Sequence, residues 1–168
     1  MYITNYLKYA GVFIVLIVLQ VTFIGYLLSI PNYNITPDIV ILFVIFLGYT
    51  KGHIPGMISG FLAGLTLDIL SGSFLGLIAL SYCVSGFIAG YFNRQISEMS
   101  AKKSSFIGII FICTLVAYTV FYVIYFQGSE ISFADIFLKH IITATLYTSL
   151  FGLIFALFYN RFNLKNTF

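Results

Sequence analysis

One carboxylate, Asp68, lies inside a glycine-rich and otherwise apolar stretch, GYTKGHIPGMISGFLAGLTLDILSGSFLG, which runs from Gly48 to Gly76. A carboxylate in apolar surroundings needs a partner or water, so it predicts a polar anchor between helices, a proton or cation site, or a ligand contact. The alternative is an interfacial carboxylate that is wetted by the turn after it. The expected partners are the side chains of Lys139 and His140, or the hydroxyls of Ser71, Ser73 and Tyr82.

Paired catalytic groups do not accompany this aspartate in the sequence. The two histidines, His53 and His140, are far apart, and the charge pattern described below places them on opposite sides of a membrane. The sequence contains no zinc motif, phosphate-binding loop or pair of intramembrane carboxylates. We therefore predict a protein that is not an enzyme, with no catalytic residues, no metal site and no cofactor.

A tyrosine stripe is the other arrangement that can do chemistry. In YTVFYVIYF, Tyr118, Tyr122 and Tyr125 recur at i, i+4 and i+7, which places them on one face of a helix. Such a face can line a ligand cavity or pack against a neighbouring helix as a seam, and packing is the favoured interpretation.

Composition decides the class of protein in which these residues work. Hydrophobic residues make up 61% of the 168 residues and charged residues only 8%; the mean hydropathy is +1.06. A soluble domain carries about a quarter charged residues, so this chain cannot cover a water-exposed surface. The sequence predicts an all-α integral membrane protein of one domain, residues 1–168, whose main surroundings are the lipid bilayer.

Hydropathy and helix-breaking residues divide the chain into six predicted transmembrane helices in a compact bundle. Their approximate bounds are 9–30, 36–51, 55–71, 74–92, 105–126 and 134–159. The second helix has the clearest start, with Thr36 as the cap, Pro37 in the first helical position and Asp38 in the first turn. It is also the shortest, and it can thin the bilayer or be partly re-entrant.

The distribution of basic residues predicts how these helices are oriented. If the N-terminus is cytoplasmic, seven basic residues lie on the cytoplasmic side and only Lys139 lies outside. The seven are Lys8, Lys51, Arg94, Lys102, Lys103, Arg161 and Lys165. This bias follows the positive-inside rule and places both termini in the cytoplasm. The basic excess therefore reports topology and indicates no nucleic-acid partner.

Small residues form a strip along the third predicted helix. Gly56, Gly60 and Gly64 share one face with Ala63, while Gly86 and Gly90 make a similar pair on the fourth helix. Small residues let membrane helices approach closely. The strip predicts packing inside the bundle or, alternatively, a docking face for a helix of another protein.

The segment TPDIVILFVIFLGYTKGHIPGMISGFLAGLTLDILSGSFLGLIALSYCVSGFIAGYF, residues 36–92, resembles the core of the MreD family, rod shape-determining membrane proteins of bacteria. The resemblance falls on Gly60, Gly64, Asp68 and Gly76, and we group Asp68 and Gly76 with the strip as helix-packing or partner-interface residues. It implies a non-enzymatic scaffold of the inner membrane that binds the bitopic protein MreC in the cell-elongation complex. The same complex links the MreB filament to a RodA-like glycosyltransferase and its transpeptidase in peptidoglycan synthesis.

The resemblance also implies a fold similar to that of the substrate-binding components of energy-coupling-factor vitamin transporters. A vitamin-binding transporter subunit with an outward-facing pocket is therefore the alternative function. The sequence leaves open whether the chain forms a homodimer.

Overall fold

The computed structural model describes residues 2–24, 36–72, 74–96, 103–128 and 133–163. Within these ranges every regular element is helical and no strand occurs. Six helices can be counted there, which confirms the predicted all-α class. They are α1 (Tyr2–Leu19, continued by a π-helical turn, Gln20–Ile24), α2 (Ile39–Lys51), α3 (His53–Ser71), α4 (Leu77–Ile96), α5 (Lys103–Tyr125) and α6 (Phe133–Ile136, a π-helical turn Phe137–Ile141, and Ile142–Asn163).

The first helix differs most from its predicted bounds. It begins at Tyr2 instead of residue 9, because YITNYLK contains no proline or glycine that would stop a helix. The last part of the prediction, residues 25–30, lies outside the described residues. The other helices differ from the predicted bounds by a few residues at their ends.

Helix α2 occupies the centre of the bundle. It contacts all five other helices, and the side chains of Val40, Ile41, Val44 and Ile45 have no exposed surface. Its thirteen residues give a length of about 20 Å. A helix that is apolar all round belongs inside a bundle, so the shortest helix is shielded from lipid by its neighbours.

The start of α2 differs from the prediction. Asp38, not Thr36, is the N-cap, with an extended backbone (φ −109°, ψ 102°) and a side chain that accepts a hydrogen bond from the Ile41 N–H. Pro37 therefore precedes the helix and does not occupy its first turn. A residue before proline is restricted to extended conformations, which keeps Thr36 out of the helix as well.

A single glycine separates α2 from α3. Gly52 has φ +98°, a conformation that side chains disfavour. Its N–H donates to the carbonyl of Gly48 over 2.9 Å and closes α2. Helix α3 then starts at His53 and tolerates Pro55, which falls in its first turn. The structure thus places the break between the second and third helices at Gly52.

Three of the helices in the described residues are long and apolar enough to cross a membrane: His53–Ser71, Phe106–Tyr125 and Phe133–Ile154. Among the residues whose side chains the structure describes, the apolar stretches of the other three helices are Gly11–Thr22, Ile39–Lys51 and Leu77–Phe92.

Candidate functional site

Helices α3 and α4 meet through backbone atoms. A Cβ built on Gly56 would lie 2.5 Å from the carbonyl oxygen of Gly86, and one built on Gly64 would lie 2.5 Å from the Ala79 Cα. At Gly60 the nearest carbonyl carbon, that of Tyr82, would be 2.7 Å away. Real Cβ atoms essentially never come within 3.0 Å of a heavy atom from a residue elsewhere in the chain. The predicted small-residue strip therefore faces α4 of the same chain.

The α4 side of this interface is equally close. A Cβ on Gly86 would collide with the backbone of Gly56, and one on Gly90 with the backbone of His53. Gly48 joins them from the end of α2, since a Cβ there would lie 2.5 Å from the Gly86 carbonyl oxygen. Sequence analysis did not include Gly48 in the strip, although its spacing of four residues from Gly52 and eight from Gly56 was the available signal. Ala63 is buried, with 3% of its surface exposed.

Asp68 binds the first turn of α4. Its Oδ2 accepts hydrogen bonds from the N–H groups of Gly76 (2.9 Å) and Ala79 (3.1 Å), and its Oδ1 accepts one from Ile78 (3.1 Å). The first N–H groups of a helix have no partner within the helix, and the positive end of the helix dipole attracts a negative charge. A carboxylate from α3 thus caps the next helix and fixes the α3–α4 connection.

These contacts differ from those expected for Asp68. The interpretation as a carboxylate wetted by the following turn is wrong, because Asp68 has no exposed surface. Lys139, an expected partner, forms an ion pair with Asp135 over 2.9 Å. The Ser71 hydroxyl donates to the backbone carbonyls of Leu67 and Asp68. Ser73 lies outside the described residues.

Gly76 has a different place from the one predicted. The prediction grouped it with the helix-packing or partner-interface residues and started a helix at residue 74. In the structure, α4 begins at Leu77, and Gly76 lies in the preceding turn with φ +96° and open space where a Cβ would be. Its left-handed backbone turns its N–H toward Asp68, so conformational freedom, and not close packing, requires glycine here.

A second buried aspartate, Asp38, joins three helices. The Tyr82 hydroxyl of α4 donates to its Oδ2, while its own N–H donates to the Thr148 hydroxyl oxygen of α6 over 3.3 Å. That hydroxyl is also hydrogen-bonded to the Tyr118 hydroxyl of α5 over 2.7 Å. Sequence analysis identified Asp38 only as part of a helix start.

Gln20 connects α1 to the same point. Its side-chain N–H donates to the Pro37 carbonyl over 3.0 Å, and its oxygen accepts from the Ile39 N–H over 3.1 Å. The glutamine opens the π-helical turn of α1, and such turns are frequent at functional sites. Five helices therefore contribute to one hydrogen-bonded network at the start of α2.

A cavity of about 210 Å³ adjoins this network. Its walls are Thr36, Asp38, Ile78, Ser81, Tyr82, Ala117, Tyr118, Phe121, Tyr122 and Ala144. Two members of the predicted tyrosine stripe, Tyr118 and Tyr122, thus line a cavity, while the ring of Tyr125 is half exposed. The cavity brings together groups from four helices, with one carboxylate among them.

Comparison with known proteins gives one match. A family model described as rod shape-determining protein MreD matches residues 4–162. The match includes the α3–α4 glycine interface, both buried aspartates and the cavity. Neither the curated proteins nor the solved structures contain a match to this chain.

Proposed function

The chain belongs to the MreD family of rod shape-determining membrane proteins, and on that premise we propose that it is a non-enzymatic scaffold of the bacterial cell-elongation complex. In this role it binds an MreC-like bitopic membrane protein through membrane helices and thereby helps to control peptidoglycan synthesis and cell shape. The observation that carries the proposal is the family match, which covers nearly the whole chain from α1 to α6. The larger complex adds a RodA-like glycosyltransferase with its transpeptidase, and the MreB filament.

The proposed topology has six crossings with both termini in the cytoplasm of a bacterium. The basic residues support it, since seven of eight then lie on the cytoplasmic side. Helix α2 is too short to cross an ordinary bilayer of about 30 Å by itself, and its burial inside the bundle removes the need for lipid contact along its length. We also propose, from the family resemblance, that the bundle has a fold similar to that of energy-coupling-factor substrate-binding components.

Partner contacts belong on surfaces other than the glycine strip. The faces of Gly56, Gly60 and Gly64 are filled by α4, so a helix from another protein has no room there. The outward faces of α3 and α6 carry large apolar side chains with similar exposure, namely Ile58 (55%), Leu62 (58%), Leu146 (53%) and Leu150 (61%). A bitopic partner is expected to cover one of these two faces.

The test is purification of the C-terminally tagged protein from mildly solubilised native membranes, followed by mass spectrometry. Recovery of an MreC-like protein with RodA-like partners supports the scaffold. Photo-crosslinking residues at positions 58 and 62, compared with positions 146 and 150, then identify the face that binds MreC. An energy-coupling ATPase pair with a stoichiometric vitamin would overturn the proposal in favour of the transporter alternative, which the comparisons do not support.

A further inference from the structure

The cavity beside Asp38 is lined by a carboxylate that has more hydrogen-bonding capacity than capping α2 requires. Capping α2 uses one carboxylate oxygen, which accepts from the Ile41 N–H over 3.1 Å. The other oxygen accepts from the Tyr82 hydroxyl. A carboxylate offers about four acceptor positions, so these donors leave acceptor capacity on a residue that lines the cavity wall.

Among the described residues, none of those that line the cavity is basic, and the His140 ring packs against that of Tyr122 with centroids 5.4 Å apart. The ten lining residues of the cavity include Asp38 but neither lysine, arginine nor histidine. Lys139 forms an ion pair with Asp135 at the surface, and the two side chains are 57% and 51% exposed. A buried carboxylate is strongly stabilised when a cation and hydrogen-bond donors reach it. The wall therefore supplies a negative group and leaves the positive one to a ligand.

Aromatic rings surround the same space. Tyr82, Tyr118, Phe121 and Tyr122 line the cavity, and the faces of such rings attract ammonium groups. The ring of Tyr122 stacks on that of Phe126 with centroids 6.0 Å apart, which holds the wall in place. Among the described residues the Tyr122 hydroxyl makes no hydrogen bond, so its oxygen can accept one from a ligand in the cavity.

We propose that this cavity binds a primary ammonium group of a small amine. An ammonium has three N–H donors, which can reach the Asp38 carboxylate and the Tyr122 hydroxyl while the rings cover its carbon atoms. The volume of about 210 Å³ is below the range of about 300–1,000 Å³ of pockets for drug-sized ligands, which suits a ligand of a few heavy atoms. The ammonium can come from a free amine or from the ethanolamine headgroup of a membrane lipid.

The experiment measures binding of ethanolamine to the full-length protein in nanodiscs of phosphatidylglycerol, by calorimetry and tyrosine fluorescence. Ethylene glycol is the uncharged analogue of similar size. Asp38→Asn is the main variant, because asparagine caps helices as well as aspartate and only the charge is lost. Asp135→Asn is the matched control, since it removes a carboxylate outside the cavity.

The expected result is saturable ethanolamine binding that ethylene glycol does not reproduce. Asp38→Asn should weaken it by about tenfold or more, the effect of losing one charge-assisted hydrogen bond, while Asp135→Asn leaves it unchanged. Tyr122→Phe, which keeps the ring and adds no volume, should weaken ethanolamine binding about threefold or more. This variant tests the proposal if Asp38→Asn does not fold. Equal binding of ethylene glycol, or unchanged affinity in both cavity variants, would overturn the proposal.

A comparison between nanodiscs of two different lipids distinguishes the two sources of the ammonium group. In phosphatidylethanolamine discs, a lipid headgroup in the cavity competes with free ethanolamine and lowers its apparent affinity compared with phosphatidylglycerol discs. Equal apparent affinity in the two lipids identifies a free amine as the ligand. Neither result depends on MreC, so the scaffold function and the amine site can fail separately.

Discussion

Replacing Asp68 by leucine is expected to destabilise the bundle strongly. The Asp68 carboxylate accepts from three backbone N–H groups, those of Gly76, Ile78 and Ala79. Leucine is similar in size but has no acceptor, so these donors lose a partner at a place where the aspartate itself has no exposed surface. The α3–α4 connection then loses the hydrogen bonds that hold the first turn of α4 in position.

The size of the loss can be estimated from the three donors. A buried donor left without a partner costs about 1–3 kcal/mol. The first turn of α4 can fray and recover part of this, so we expect Asp68→Leu to lower the free energy of unfolding by roughly 3–6 kcal/mol. Asp68→Glu keeps the carboxylate but adds one methylene in a packed site, at a cost of about 1–3 kcal/mol. Glutamate should thus be partly tolerated.

The measurement is unfolding of the purified protein in mild detergent by titration with sodium dodecyl sulfate, followed by far-ultraviolet circular dichroism. Asp135→Asn is the control, because its carboxylate forms an exposed ion pair with Lys139, worth at most about 0.5 kcal/mol. The reasoning is refuted if Asp68→Leu unfolds at the same detergent fraction as the wild type. It is also refuted if Asp68→Glu is the more damaging substitution.

Two further predictions use the same titration. Gly60→Ala should lower the free energy of unfolding by about 1–3 kcal/mol, because its Cβ would lie 2.7 Å from the Tyr82 carbonyl carbon. Gly108→Ala, at a helical site with open space, should raise the free energy of unfolding by up to about 1 kcal/mol. Equal changes in the two glycine variants would contradict the close α3–α4 contact. Tyr82→Phe removes the donor to Asp38 and should cost about 1–3 kcal/mol, whereas Tyr91→Phe, on a ring 62% exposed, should change little; a Tyr82→Phe variant as stable as the wild type would exclude a stabilising role for that hydrogen bond.

The parts of the fold that the sequence predicted are those encoded locally. Apolar runs separated by polar and glycine clusters predicted six helices, with a break between residues 51 and 55. The spacing of Gly56, Gly60 and Gly64 predicted one small-residue face, because a helix brings residues four apart onto the same side. Each of these signals depends on neighbours within one or two turns.

The contacts of the aspartates needed the three-dimensional arrangement. The donors to Asp68 are backbone N–H groups, which every residue except proline carries, so no side-chain pattern marks them. The Asp38 network joins residues as far apart as Asp38 and Thr148, 110 positions along the chain. The sequence marked Asp68 as unusual in apolar surroundings and Asp38 only as part of a helix start, and only the packing of α4 and α6 determined what each one binds.

The two buried aspartates solve the same physical problem. The described apolar stretches of α2 and α4, Ile39–Lys51 and Leu77–Phe92, are shorter than the about 20 residues that span a bilayer, so these helices are expected to start below the membrane surface. The first N–H groups of a helix that starts there cannot rely on water and must be satisfied by the protein. Asp38 caps α2 as the residue directly before that helix, whereas Asp68 caps α4 from the neighbouring helix α3. Tyr82 links the two arrangements, because its hydroxyl donates to Asp38 while its carbonyl packs against Gly60 on the helix that carries Asp68. A substitution at either aspartate should therefore shift the position of α4. That shift should in turn alter both the glycine interface and the cavity.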